Sequence, residues 1–186
     1  MSLLTPGRLY LLELPRTLRR PVLNELIARL AMRGEVQVLV AGNHFDAHGI
    51  ARLLRRQTET ITPALKRIRL ARAFTCYQVH ALIRQAEIAL PTVVTDLLET
   101  FSDENVPLEE RRALLTECVQ RLRWLSRGRE VLVSTAPPHA TTPMAGGAQT
   151  AVQEQWRDYL RASADRVWSL ELPLAQPLQL SLFGGE

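Results

Sequence analysis

The stretch Leu65–Thr100, LKRIRLARAFTCYQVHALIRQAEIALPTVVTDLLET, restricts the fold more than any other part of the chain. It reads strand, helix, strand. Arg67–Phe74 is a short run of β-type apolar and basic residues, and Tyr77–Ile88 places Val79, Leu82, Ile83 and Ala86 at helical spacing. Thr92–Leu98 is a run of Val, Thr and Leu that contains one acid, Asp96. Two such strands joined by one helix form a βαβ crossover, which requires a parallel sheet covered on both faces.

The same alternation runs through the rest of the chain. Arg8–Leu14 reads as a buried strand, followed by a loop Pro15–Arg20 and a helix from Pro21 to about Met32, with Leu23, Leu26, Ile27 and Leu30 on one face. Gly34 closes that helix, Glu35–Ala41 is a second strand, Gly42-Asn43-His44 a turn, and Ala47–Arg56 a short basic helix. Pro107–Arg127 is the longest periodic helix, with Glu109 and Glu110 in its first turn, where the helix dipole favours acids. Glu130–Ser134 is a strand, Ala136–Gly147 a loop, Ala148–Ala162 a helix with Val152, Trp156 and Tyr159 inward, and Arg166–Leu172 the last strand. Trp124, Trp156 and Trp168 all fall at core-facing positions. The expectation is an α/β domain over 1–172, a mostly parallel sheet with helices on both faces, and a Pro-broken tail over 173–186.

Composition narrows the setting. A chain of 186 residues that is 46% hydrophobic is long enough for one sizeable core. Lys66 is the single lysine among 23 basic residues, so the formal charge of +4 is carried by arginine, which suits phosphate contact. Cys76 and Cys118 fall within helices and lack a C-x-x-C pattern, which fits reduced thiols. No apolar run approaches the ~20 residues of a membrane span, and no signal-peptide pattern is present, so a cytoplasmic location is expected.

In an open parallel sheet, ligand chemistry sits at the carboxyl ends of the strands. A phosphate-binding loop after the first strand would need glycines to expose backbone N–H groups, a lysine for charge and a hydroxyl for Mg²⁺. Here that loop reads Pro15-Arg16-Thr17-Leu18-Arg19-Arg20-Pro21, without glycine or lysine. Arg16, Arg19 and Arg20 could still meet an anion, and Asp96 stands where a metal-holding acid would, although an Asp ending a strand also caps turns. His44 and His48, an i, i+4 pair around Asp46, lack a third metal ligand. His80 reads as a partly buried helix residue with a partner, and Ser134 has no nucleophile-elbow context.

The order of these pieces carries a resemblance. LKRIRLARAF, TCYQVHALIRQAEIAL, TVVTDLLETF and PLEERRALLTECVQRLRWLSRGREVLVST look like the ATPase core of the RecA/RadA recombinase superfamily over roughly residues 8–172. Ala71-Arg72-Ala73-Phe74 resembles the recombinase strand before the mid-core helix, Asp96 falls at the Walker B acid, and ASADRVWSLEL resembles the closing strand. The chain departs from that pattern in four places. The P-loop is lost, and VAGNHF offers Gly42 or Asn43 where the family carries its catalytic glutamate. Ser102-Asp103-Glu104-Asn105 makes the first DNA loop acidic, and Ala136–Gly147 gives the second neither Arg nor Lys. The resemblance therefore implies a pseudo-ATPase, as in the ImuA and SulA group of bacterial DNA-damage-response proteins. It implies no catalysis and no cofactor, and a degenerate nucleotide site at Arg19, Arg20 and Asp96.

The tail holds Gln179-Leu180-Ser181-Leu182-Phe183, which resembles the bacterial sliding-clamp-binding consensus letter for letter. In such peptides the glutamine hydrogen-bonds at the pocket edge, the first leucine fills a lesser site, and the Leu–Phe pair fills a hydrophobic cleft. That implies roles for Gln179, Leu180, Leu182 and Phe183, with Ser181 as spacer. The alternation in LQLSLF also fits an edge strand packed on the chain's own sheet. The function expected is a non-catalytic adaptor of DNA repair or translesion synthesis, recruited to the sliding clamp and tethering a repair polymerase or recombinase. Two rivals stand beside it. One is a divergent ATPase. The other is a sequence-independent DNA binder using Arg52, Arg55, Arg56, Arg67 and Arg69.

Overall fold

In the computed structural model, residues 4–42, 45–137 and 147–170 are described, with 147–149 as backbone only. Six strands, β1 (Leu9–Glu13), β2 (Val36–Val40), β3 (Ile68–Arg72), β4 (Thr92–Thr95), β5 (Val131–Thr135) and β6 (Arg166–Ser169), form one sheet in the order β3-β2-β4-β5-β1-β6. Every pairing is parallel. Between them run α1 (Arg16–Arg33), α2 (Ala47–Gln57), α3 (Ile61–Lys66), α4 (Cys76–Gln85), α5 (Leu108–Ser126) and α6 (Gly147–Ser163), with a 3₁₀ turn at Thr100–Ser102. The α/β reading with helices on both faces holds.

Residue alternation explains the two covered faces. On β1, Leu9 and Leu11 join the core under α4, α5 and α6, while Tyr10 and Leu12 join the core under α1, α2 and α3. Val131 and Val133 of β5 side with Leu9, and Leu132 sides with Tyr10. Because side chains alternate along a strand, a strand apolar at every position serves two cores at once. The four inner strands β1, β2, β4 and β5 are buried throughout, whereas the edge strands β3 and β6 are mostly exposed. The periodic residues of α1 and α5 meet the sheet as expected: Leu23, Ile27 and Leu30 on one face, and Leu115, Val119, Leu122 and Leu125 on the other. Each such buried side chain contributes about 1.5–3 kcal/mol.

One buried polar side chain inside the sheet finds its partners on β4 and in the segment before it. The Gln37 amide donates to Glu87 O and Thr92 Oγ1, both at 2.7 Å, and accepts from Glu87 N–H at 3.1 Å. This clamp ties β2 to the turn leading into β4.

The structure corrects the sequence expectations in three places. The segment 16–20 is not a loop but the first turn of α1, since the Pro15 carbonyl accepts from Leu18 and Arg19 N–H at 2.9 and 3.1 Å. Pro21 then lies inside the helix and costs it one hydrogen bond. Ile61–Lys66 forms a short helix that periodicity is too brief to reveal. Trp124 and Tyr159 are substantially exposed. Trp124 lies beneath the Arg121 guanidinium, 3.9 Å from its ring centroid, which shields an indole that the sheet does not reach. Trp156 is buried, with its ring edge-on to Phe101, and Trp168 is half-buried against Tyr10.

Cys76 and Cys118 are both free and buried. Burial pushes the Cys118 thiol up to about 12 and raises Cys76, so neither offers a ready thiolate. Among the described residues no helix is long and apolar enough to cross a membrane.

Asp46 caps α2 by accepting from Gly49 N–H at 2.8 Å, and the Asn24 amide of α1 donates to it at 3.1 Å. The Gly49 bond first, helped by Asn24, Arg20 and Arg52, holds its carboxyl below the usual carboxylate range. A depressed folded pKa stabilises above the unfolded value and is lost as pH falls through the folded one. Asp46→Ala should therefore cost about 1 kcal/mol near neutral pH. In urea titrations its deficit against the native chain should shrink below about pH 4. A deficit that does not vary with pH would assign the loss to packing instead.

Candidate functional site

The chain leaves β1 by α1 on one face and leaves β5 by α6 on the other. Between those departures, at the carboxyl ends of β1, β4 and β5, lies a cleft of about 340 Å³. Open parallel sheets bind ligands in such a crevice. Its walls carry Arg19 from the first turn of α1, Asp96 and Glu99 from the turn after β4, Thr135 from β5, and Gln153 and Arg157 from α6.

Asp96 follows the last residue of β4 with φ 54°, in the left-handed region. Aspartate tolerates that region better than most side chains, and here the surroundings hold it. Its N–H donates to Ser134 Oγ at 2.9 Å, its carbonyl accepts from Glu99 N–H at 3.0 Å, and the next N–H, of Leu97, donates to Ser134 O at 3.1 Å. The turn sends Asp96 back over Gly42 at the end of β2. A side chain at Gly42 would place its Cβ 2.7 Å from Asp96 Cβ and 2.1 Å from Glu99 Oε2, so only glycine fits.

Arg19, 8% exposed, is aimed into this turn. Its Nε donates to Leu14 O at 3.2 Å, and its Nη1 lies 3.2 Å from Asp96 Oδ1 and 3.5 Å from Glu99 Oε1. One buried guanidinium thus joins the end of β1 to the turn after β4. The Asp96 carboxylate spends its charge on this arginine. A cation at Asp96 would have to displace Arg19, and an anion at Arg19 would meet two carboxylates. At the start of α1 the Leu18 and Arg19 N–H groups are taken by the Pro15 carbonyl, and no glycine in 15–21 lets a phosphate approach the backbone closely.

Of the three residues expected to form a degenerate nucleotide site, the structure joins Arg19 and Asp96 and sets Arg20 apart. Arg20 is exposed and acts on Asp46. The far wall was not anticipated. Gln153 donates to Ser102 Oγ at 3.1 Å, and Arg157 is buried, with its guanidinium held below its usual range by desolvation. Next to it, the fully buried Glu13 at the end of β1 accepts two hydrogen bonds from Arg161, at 2.6 and 2.5 Å. The lone acid in RLYLLEL was the available sign of that anchor.

The other singled-out residues separate. Arg52, Arg55 and Arg56 stand exposed on α2 with no ion pair among the described residues, and Arg52 shares Asp46 with Arg20. Arg67 instead donates to Ala31 O and Met32 O at the end of α1, and Arg69 bridges Glu35 and Glu87 at 2.6 Å each. His80 is half-buried and 2.7 Å from Glu117, as expected. His48 is exposed, His44 lies outside the described residues, and no group of three metal-ligand side chains occurs among the described residues. Gln179, Leu180, Ser181, Leu182 and Phe183 also lie outside the described residues. No protein-family model and no curated protein matches this sequence.

The pair predicts a non-additive double-mutant cycle. Arg19→Ala deprives a buried carboxylate of its guanidinium and should cost about 3 kcal/mol. In the Asp96→Asn background, where the turn geometry suits asparagine and no charge remains, it should cost at least about 1 kcal/mol less. Denaturant titration of the four chains checks this, and additive losses would mean the two charges are not coupled.

Proposed function

We propose that this chain is a non-catalytic RecA-like adaptor of bacterial DNA repair or translesion synthesis, brought to the sliding clamp by Gln179–Phe183. The observation that carries the reading is the tail sequence. QLSLF follows LPLAQPL, whose Pro173 and Pro177 cannot donate to a ladder or a helix. Leu182 and Phe183 supply most of the affinity as the apolar anchors, and Gln179 orients them. The cleft supports the non-catalytic half of the reading, since the Asp96 carboxylate in its wall is held by Arg19. The order β6-β1-β5-β4-β2-β3 supports the RecA-like half, with Asp96 two strands from β1 across β5. An adaptor of this kind works in the cytoplasm and holds a polymerase or recombinase partner near the replication site through a leash.

A second reading draws on the exposed arginines. Arg52, Arg55 and Arg56 on α2, joined at Asp46 by Arg20, form a basic strip suited to a nucleic-acid backbone. That strip is compatible with the adaptor role and does not require the tail.

Calorimetric titration with purified bacterial sliding clamp tests the main reading. The native chain should bind with a micromolar Kd, and Leu182→Ala/Phe183→Ala should weaken it at least about 100-fold, as expected for the loss of two apolar anchors. Undiminished binding by the double variant, or none by the native chain, would remove the tail from the account. The DNA reading is separable, because its binding would survive the double variant and fall steeply with salt.

A further inference from the structure

The helices on the α1 face stop short of the β6 edge. Along that margin runs an apolar groove of about 830 Å³, lined by Leu12 of β1, Val22 and Leu26 of α1, and Val167, Trp168 and Leu170 on and after β6. Val167 and Leu170 are about two-fifths exposed, and Trp168 is only half-covered by Tyr10. On its inner side β6 pairs with β1, and no strand pairs with its outer side among the described residues. A sheet edge combined with an apolar trough is a template for one more strand.

We propose that the chain fills this groove itself, with Leu178–Leu182 added as a strand against β6, and that the same residues are thereby withheld from the clamp. The regulatory consequence rests on the clamp reading above, whereas the docking does not.

Position, reach and pattern each support this occupant. Leu170 is both the last described residue and part of the groove wall, so the described chain ends at the groove's own rim. β6 has four residues, roughly 13 Å of strand at 3.3 Å per residue. The residues from 171 to 177 extend to about 23 Å, enough to turn back and run beside it. Pro173 and Pro177 cannot donate to a ladder, so Leu178–Phe183 is the first stretch after β6 able to supply an unbroken row of N–H groups. Within it Leu178, Leu180 and Leu182 alternate with Gln179 and Ser181, which gives one apolar face for the trough and one polar face for water. Leu180 and Leu182 are also clamp-facing residues in the clamp reading. One tail cannot occupy both seats, so the apparent clamp affinity is the intrinsic affinity multiplied by the undocked fraction.

Amide hydrogen exchange on the full chain tests the docking without the clamp. The amides of 179–183 should exchange about tenfold more slowly in the native chain than in Val22→Asp/Leu26→Asp, the ratio for a tail docked nine-tenths of the time. Leu178→Asp is the second variant. It lies outside both the domain and the QLSLF motif, so it should release the same amides without disturbing the fold, and circular dichroism checks both variants. Each variant should bind the clamp about tenfold more tightly than the native chain. Native tail amides that exchange as fast as a free peptide of the same sequence would overturn the docking. So would protection that both variants retain. Released amides with unchanged clamp affinity would overturn the competition. Protection lost in the variants, with no clamp binding by any chain, would uphold the docking and overturn the clamp reading.

Discussion

A guanidinium held against a strand-end carboxylate governs the top of this sheet. Arg19 and Asp96 are 8% and 3% exposed, and 3.2 Å separates their charged atoms. Two charges removed from water are costly unless they meet each other and their remaining hydrogen bonds are made. Around the pair, Arg19 Nε donates to Leu14 O, the Asp96 N–H donates to Ser134 Oγ, and glycine at 42 leaves the space that any side chain would take. The ends of β1, β2, β4 and β5 are thus fixed by one set of contacts. The crevice where such sheets bind ligands is occupied by the protein's own charges.

That arrangement shifts attention from the cleft to the periphery. The interior strands have no free edge or face to offer, being buried at every residue. Among the described residues, the unpartnered surfaces are the basic side of α2, the β3 edge, and the groove beside β6.

Much of this was legible in the sequence because strands buried on both faces announce themselves as mostly apolar runs. VQVLV, VLVST and LYLLE are such runs, and the sheet they imply is the one found. The start of α1 was not legible. Pro15 and Pro21 bracket a segment that reads as a loop, and a carbonyl-closed first turn leaves no side-chain signature. The burial of Arg19 was hidden for the same reason: a run of arginines looks solvated until the carboxylate that one of them meets, 77 positions later, is brought beside it. Trp124 misled through periodicity alone, since helical spacing names a face but not how far that face extends beyond the sheet. Arg157 and Gln153 were missed because their neighbour Trp156 dominates the pattern of α6, and the cleft collects residues from the next helical position as well.

Arg19 lies 3.2 Å from Asp96, in the space a metal ion at that carboxylate would need. The most direct test is the melting temperature of the full chain with and without millimolar Mg²⁺-ATP. A ligand that binds only the folded state must raise it, by an amount set by RT ln(1 + [L]/Kd). With Arg19 seated against Asp96, no change is expected. A rise of several degrees, abolished by Asp96→Asn, would contradict that expectation and return the cleft to the nucleotide-binding class.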